Sequence, residues 1–272
     1  MNILIAHVGN IRANEIKVLA QALNKKHNVT IAAMATDVSY RGLAFSLKDE
    51  PVRVTPLFYK EVIKNSAWVK TRDVQSVVSN FENIPAFEFY ANPADAISIM
   101  LSEIMVHKKP DLVICGINNG IHVGQDIYCS SSIGMAMESV FFRVPVITVG
   151  VEYKVGGHSE EELKNAVQFI KRNITKFSKL KLPENTFLSI SVPTREEYSQ
   201  IKGVRIAKMS RLTQLSEYEE KLDYKNSKYY WAKKADGTTV DIKKDDCARR
   251  WLDRGYITII PINWNTSCGG AV

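Results

Sequence analysis

The side chains best suited to chemistry gather in four stretches: 7–14, 37–46, 116–132 and, more sparsely, 150–158. The third is the richest, with GINNG (116–120), HVGQD (122–126) and CSSS (129–132) in succession. Glycines there let the backbone approach a ligand. Serines at a helix start combine free N–H groups with the positive end of the helix dipole, which suits an anion. Asn118, Asn119, Ser130, Ser131 and Ser132 are therefore candidate phosphate ligands. Arg41, in the second stretch, could add a bidentate contact to the same phosphate. The bland alternatives are serines that only cap a helix and an arginine that is a solvated loop charge. His7 and His122, at neighbouring strand ends, could act as an acid/base pair near pH 7, or His7 could only bond backbone. A histidine with Asp37 and Asn118 could instead hold a softer transition metal. Asp37 by itself reads as an Asx-type turn residue. Arg12 and Lys48 lie on or near the same loops. No role is forced on His158, and Cys115 reads as a small buried hydrophobe.

Such residues need a scaffold that brings strand ends together. Asn2 to His7 is a short apolar run, followed by a Gly-Asn turn and the helical spacing Ile16, Leu19, Leu23. A second apolar run covers 28–34. Strand, helix, strand in about 35 residues is a parallel unit with a right-handed crossover. The alternation continues with a helix over 93–107 capped by Asn92, a strand over 112–116 and a helix over 133–142. A strand over 146–151, a helix over 160–177 and a strand over 186–192 complete it. This order predicts a doubly wound α/β sheet, with ligands at the carboxyl ends of its strands.

The last third differs. KGVRIAKM (202–209) alternates like a half-buried strand, and KYYWAK (228–233) is aromatic-rich strand material. ADGT (235–238) carries an Asp-Gly hairpin signal, 249–252 reads as a short helix, and YITIIPI (256–262) as a strand. The expected organisation is one domain, with a core over about 1–192 and a C-terminal extension over about 193–272.

The chain has 272 residues, 36 Lys+Arg against 29 Asp+Glu and a net charge of +7, enough length for a sizeable core without staples. The mild positive balance does not by itself indicate nucleic acid. Cys115, Cys129, Cys247 and Cys268 form no CxxC pair and read as reduced thiols. No apolar run approaches the ~18 residues of a membrane span. With no secretory signal visible, the expected location is cytoplasmic.

The motifs resemble the survival protein SurE family of metal-dependent 5'-nucleotidases. MNILIA with Ile11 and Ala13 resembles the family's first strand and metal loop. Thr36-Asp37, Gly42 and Ser46-Leu47 resemble PDxxxSGxxxSLT, and Asn92-Pro93-Ala94-Asp95 resembles GTPAD. PDLV (110–113) with GINNG resembles PDLVVSGIN-G. Gly124, Asp126, Ser130 and Met137-Glu138 resemble GDD…YSGT…AAMEG. IKGVR, YYW and GYITIIP extend the likeness nearly to the end. The resemblance implies a three-layer α/β/α Rossmann-like sandwich with a C-terminal hairpin arm that builds dimers or tetramers. That arm reading displaces the alternative in which the aromatic 224–231 stretch stacks single-stranded nucleic acid.

The resemblance breaks where the chemistry belongs. It implies one Mg²⁺ or Mn²⁺ held by two consecutive aspartates, a serine and the asparagine of GIN. Here the aspartate positions fall on Val8 and Gly9 and the serine on Arg41, so only Asn118 remains. Hard divalent cations need oxygen ligands and carboxylate charge, which an amide beside a guanidinium does not supply. Arg41 would then stand about where the metal charge belongs. The expectation is a SurE-like protein whose metal-dependent phosphatase activity is weak or lost and whose cavity still binds a phosphorylated ligand such as a nucleotide. The alternatives are an active phosphomonoesterase or other hydrolase with a rearranged site, metal-independent or not, and a non-catalytic oligomeric scaffold.

Overall fold

The computed structural model describes residues 1–46, 51–57, 84–210, 212–213, 217–233, 239–240 and 247–265. Lys48, Cys268 and the Asp-Gly signal at 235–238 lie outside them. The first seven strands are β1 (Asn2–Asn10), β2 (Asn28–Met34), β3 (Arg53–Pro56), β4 (Ala86–Tyr90), β5 (Leu112–Asn119), β6 (Val146–Val151) and β7 (Thr186–Val192). Six follow: β8 (Val204–Ile206), β9 (Leu212–Thr213), β10 (Glu217–Leu222), β11 (Lys228–Lys233), β12 (Thr239–Val240) and β13 (Ile257–Asn263). The helices are α1 (Asn14–Asn24), α2 (Pro93–Ile99), α3 (Ser131–Phe141), α4 (Glu160–Lys179) and α5 (Ala248–Asp253).

Nine strands form one sheet in the order β3-β4-β2-β1-β5-β6-β7-β13-β8. From β4 to β7 every pairing is parallel, whereas β3 and β13 join antiparallel to β4 and β7. Strict alternation along β1 explains the layers. Ile3 and Ile5 face a cluster with Ile16, Leu19, Phe169 and Ile170 of α1 and α4. Leu4 and Ala6 face one with Ile97, Ile133 and Met137 of α2 and α3. Buried on both sides, β1 reads as a continuous apolar run, as central parallel strands do. The result is an α/β/α sandwich. Each wholly buried Ile or Leu contributes about 1.5–3 kcal/mol.

The helix starts follow from their caps. In α4 the Ser159 hydroxyl and the Glu162 carboxylate form a capping box, with Glu160 and Glu161 in the first turn and Lys179 in the last. Pro93 opens α2, and the buried Asp95 carboxylate accepts from the Asn92 N–H at 3.1 Å and the Ser46 N–H at 2.9 Å. The helix expected over 93–107 is α-helical only to Ile99 and continues as a π-turn over Met100–Ile104. The half-buried strand expected over 202–209 is shorter. Its regular part is β8, an exposed edge strand whose one strand neighbour among the described residues is β13.

Candidate functional site

A cavity of about 700 Å³ opens at the carboxyl ends of β1 and β5, between the loop after β2 and the start of α3. That is where an open parallel sheet places ligands. His7, Asn118, Asn119, His122, Ser130, Ser131 and Ser132 all line it, so the structure unites most of the residues singled out in sequence. Arg41 does not line it: the exposed guanidinium donates to Asn92 Oδ1 at 3.1 Å.

His7 is buried and fully committed. Its Nδ1 accepts the Gly9 N–H at 3.0 Å, so Nε2 carries the proton and donates to the Ile117 carbonyl at 3.0 Å. Burial lowers its pKa below the ordinary histidine value, against the raising influence of Glu15. A neutral ring with both nitrogens bonded has no lone pair to take a substrate proton.

Asn118 is held at the sheet end by two backbone acceptors. Its Nδ2 donates to the Val149 carbonyl at 3.1 Å and the Cys115 carbonyl at 3.3 Å, which leaves buried Oδ1 without a partner among the described residues. Gly116 makes this possible. It has φ of 141°, and a Cβ there would lie 2.3 Å from the Val149 oxygen. The Gly116–Ile117 peptide is cis. Asn119 braces the next loop, donating to the Lys154 carbonyl and accepting its N–H, both at 2.8 Å.

The three serines divide the work. Ser131 is structural: its hydroxyl donates to the Val38 carbonyl at 2.6 Å and accepts the Arg41 N–H at 2.9 Å. Ser130 caps α3, accepting the Ile133 N–H at 3.4 Å, and lies 2.9 Å from His122 Nε2. Ser132 Oγ is 3.2 Å from Ser130 Oγ. Burial pushes His122 down to about 4, so its ring is neutral at pH 7.

Among the described residues three carboxylates line the cavity, and no Lys or Arg does so. Asp37 closes the expected Asx turn on Ser39, with bonds of 2.8 and 2.6 Å. Burial raises the Asp126 carboxyl above its usual range. Glu15 escaped the sequence reading. It is buried beside His158 Nδ1 at 3.6 Å, while His158 Nε2 donates to the Glu152 carbonyl at 2.9 Å. A charged side chain next to Ile16, on the buried face of α1, was the available signal.

The donors do not fit the metal that the resemblance implies. Val8 and Gly9 have no ligating side chain, the Gly9 N–H is closed onto His7, and Arg41 carries a cation with no lone pair to offer, one N–H of which donates to Asn92. Among the described residues, no three His, Cys, Asp or Glu side chains gather closely enough to hold a metal ion. The orphan Asn118 oxygen is a single neutral donor, too little for a hard dication.

Sheet order, layering and cavity together define a Rossmann-like α/β/α protein with a cavity at the strand ends. Residues 3–215 match the family model described as Survival protein SurE, and the chain belongs to that family. It is 28% identical over 265 residues to the 5'-nucleotidase SurE of Clostridium botulinum (strain Alaska E43 / Type E3), covering 97% of this chain and 94% of that one. It is 29% identical over 264 residues to the 5'-nucleotidase SurE of Thermosipho africanus, covering 97% and 91%. The crystal structure of the SurE protein from Aquifex aeolicus shares the fold, with a TM-score of 0.70 at 21% identity, covering 98% of this chain and 95% of that one.

Proposed function

We propose that this chain is a SurE-family protein that binds a small phosphorylated ligand of the nucleoside monophosphate type, and whose metal-dependent nucleotidase activity is weak or lost. The observation that carries this is the first loop, where Val8 and Gly9 stand at the implied carboxylate positions and His7 seals the Gly9 amide. Without a dication, the metal's own means of activating water and neutralising the phosphate are missing. Ligand binding is supported by a cavity within the ~300–1,000 Å³ usual for small molecules. It is also supported by the first turn of α3, where the N–H groups of Ser131 and Ser132 have no backbone or side-chain acceptor among the described residues. The lining carboxylates disfavour di- and triphosphates relative to monophosphates.

The curated relatives named 5'-nucleotidase support the substrate class. We also propose a homodimer or homotetramer in the cytoplasm. No described helix is long and apolar enough to cross a membrane. The test assays p-nitrophenyl phosphate and nucleoside monophosphates with Mn²⁺ and with chelator, alongside thermal shift. The expected result is no metal-dependent turnover and a raised Tm with monophosphates. Turnover that requires metal overturns the reading.

A further inference from the structure

His122 and the Ser130 hydroxyl form a constellation beyond the Ser131 and Ser132 amides on which the phosphate reading rests. His122 sits on the loop after β5, 6% exposed, with its N–H anchored to Ser191 Oγ of β7 at 3.4 Å. Its Nε2 meets Ser130 Oγ at 2.9 Å and Ser132 Oγ at 3.5 Å. Its Nδ1 is buried with no partner among the described residues. Ser130 is only half-buried and lines the cavity, so its hydroxyl is bonded to a base on one side and open to a ligand on the other. The next two amides, of Ser131 and Ser132, lack acceptors among the described residues and lie at the positive end of α3.

We propose that Ser130 is a nucleophile activated by His122, which gives the cavity a metal-independent hydrolase activity toward an uncharged carboxylic ester. In the tautomer with the proton on Nδ1, Nε2 accepts the Ser130 hydroxyl. Ser130 Oγ attacks the ester carbonyl carbon and its proton passes to Nε2. The oxyanion is met by the free α3 amides. The carbon–oxygen bond to the leaving alkoxide breaks, and the imidazolium protonates that alkoxide. Water then attacks the acyl-serine, giving its proton to Nε2. The carboxylic acid departs, and Ser130 recovers its proton.

The substrate class follows from charge. Glu15, Asp37 and Asp126 line the cavity with no lining Lys or Arg among the described residues, so a neutral ester meets less repulsion there than a phosphate dianion. Burial keeps His122 in its base form at pH 7. No carboxylate bonds Nδ1, so the imidazolium is poorly stabilised and turnover is slow. Besides those three carboxylates, the titratable groups on the lining are His7, Tyr40 and Tyr153.

The inference goes beyond the phosphate-binding reading but uses the same amides, so inorganic phosphate should compete with ester. The test treats the full chain, in chelator, with a fluorophosphonate probe and with p-nitrophenyl butyrate, followed by peptide mapping. The expected result is one adduct, on Ser130. His122→Gln leaves the cap intact and should cut labelling and turnover about 100-fold. Labelling should fall as pH drops toward about 4 in the parent and stay flat in the variant. No adduct, an adduct elsewhere, or equal labelling of His122→Gln overturns the proposal. A phosphate-induced Tm rise without a Ser130 adduct overturns it while leaving the phosphate reading standing. An adduct without that rise does the reverse.

Discussion

His7 and Gly9 lock each other, and that lock stands against a carboxylate restored at Gly9 alone. A Cβ on Gly9 would lie 3.1 Å from His7 Cε1 and 3.3 Å from Nδ1, against a ring already bonded through both nitrogens. Gly9→Asp should therefore cost about 1–3 kcal/mol by overpacking. In Gly9→Asp with His7→Asn the smaller side chain gives way, and the two changes should be non-additive by about 1 kcal/mol. Urea denaturation of the four proteins reads the coupling; strict additivity would show that the ring is not the obstacle. His122 makes an independent prediction. Its folded pKa of about 4 lies below the 6.5 of the free side chain, so acid favours the unfolded chain, which takes the proton first. The stabilisation is present above pH 6.5 and is lost as pH falls toward 4. At pH 5 the loss is about 2 kcal/mol relative to pH 7. His7 titrates in the same direction. The urea midpoint should fall between pH 7 and 5, and His122→Gln should remove part of that fall; an unchanged slope would place the acid sensitivity elsewhere.

At the level of elements, the site depends on α3 gripping the loop after β2. Gly134 is the contact point: a Cβ there would lie 2.3 Å from the Gly42 carbonyl oxygen and 2.9 Å from the Leu43 nitrogen. Those are backbone atoms, so Gly134→Ala must push loop and helix apart, at about 2–3 kcal/mol. The Arg41 N–H bond to Ser131 Oγ and the Gly42 N–H bond to the Cys129 carbonyl should loosen with it. Hydrogen exchange at the Arg41 and Gly42 amides checks this, and retained protection would show that the loop is held by something else. Such contacts were invisible in the sequence, because a glycine inside a helix pattern does not name what approaches it. What periodicity does encode was legible. β2 and β7 fall on the expected residues, and α4 runs two residues past its expected end. The short strands β3 and β4 were missed, and the antiparallel entry of β13 beside β7 could not be read from an apolar run that fits either direction. The site was legible in residue types but not in bonding. Nothing in CSSS distinguishes Ser131, spent on Val38, from Ser130, which faces His122.

Across the whole molecule, the unsolved surface is the hairpin of β10 and β11. Among the described residues it pairs only with itself, from Glu217 opposite Lys233 to Leu222 opposite Lys228. An isolated two-stranded hairpin is marginal in water. The register puts Tyr218, Leu222 and Tyr230 on one face and Tyr229 and Trp231 on the other, and all five are 40% exposed or more. Its internal bonds include the Tyr230 hydroxyl donating to Glu220 at 2.7 Å, exposed Lys228–Glu220 and Lys221–Glu219 ion pairs at 3.0 and 3.7 Å, the Asp223 carboxylate accepting the Lys225 and Ser227 N–H at the turn, and an edge contact between Tyr229 and Trp231. Exposed pairs of this kind are screened by water and salt and do not offset so much wet aromatic surface. A second copy of the chain is the cover that the family resemblance implies, and both faces would have to be met. Stable protein interfaces bury about 1,200–2,000 Å² in total, and buried aromatics supply about 150–250 Å² each, so the arm could provide a large share of one. Size-exclusion chromatography with light scattering should find a dimer or tetramer at micromolar concentration. Trp231→Glu with Tyr218→Glu, one change on each face, should weaken association by at least ~30-fold, the scale of losing one 2 kcal/mol anchor. The core sheet does not rest on these residues, so far-UV circular dichroism should stay unchanged. A parent chain that runs as a monomer at that concentration, or a double variant that still associates, would remove the arm from the assembly.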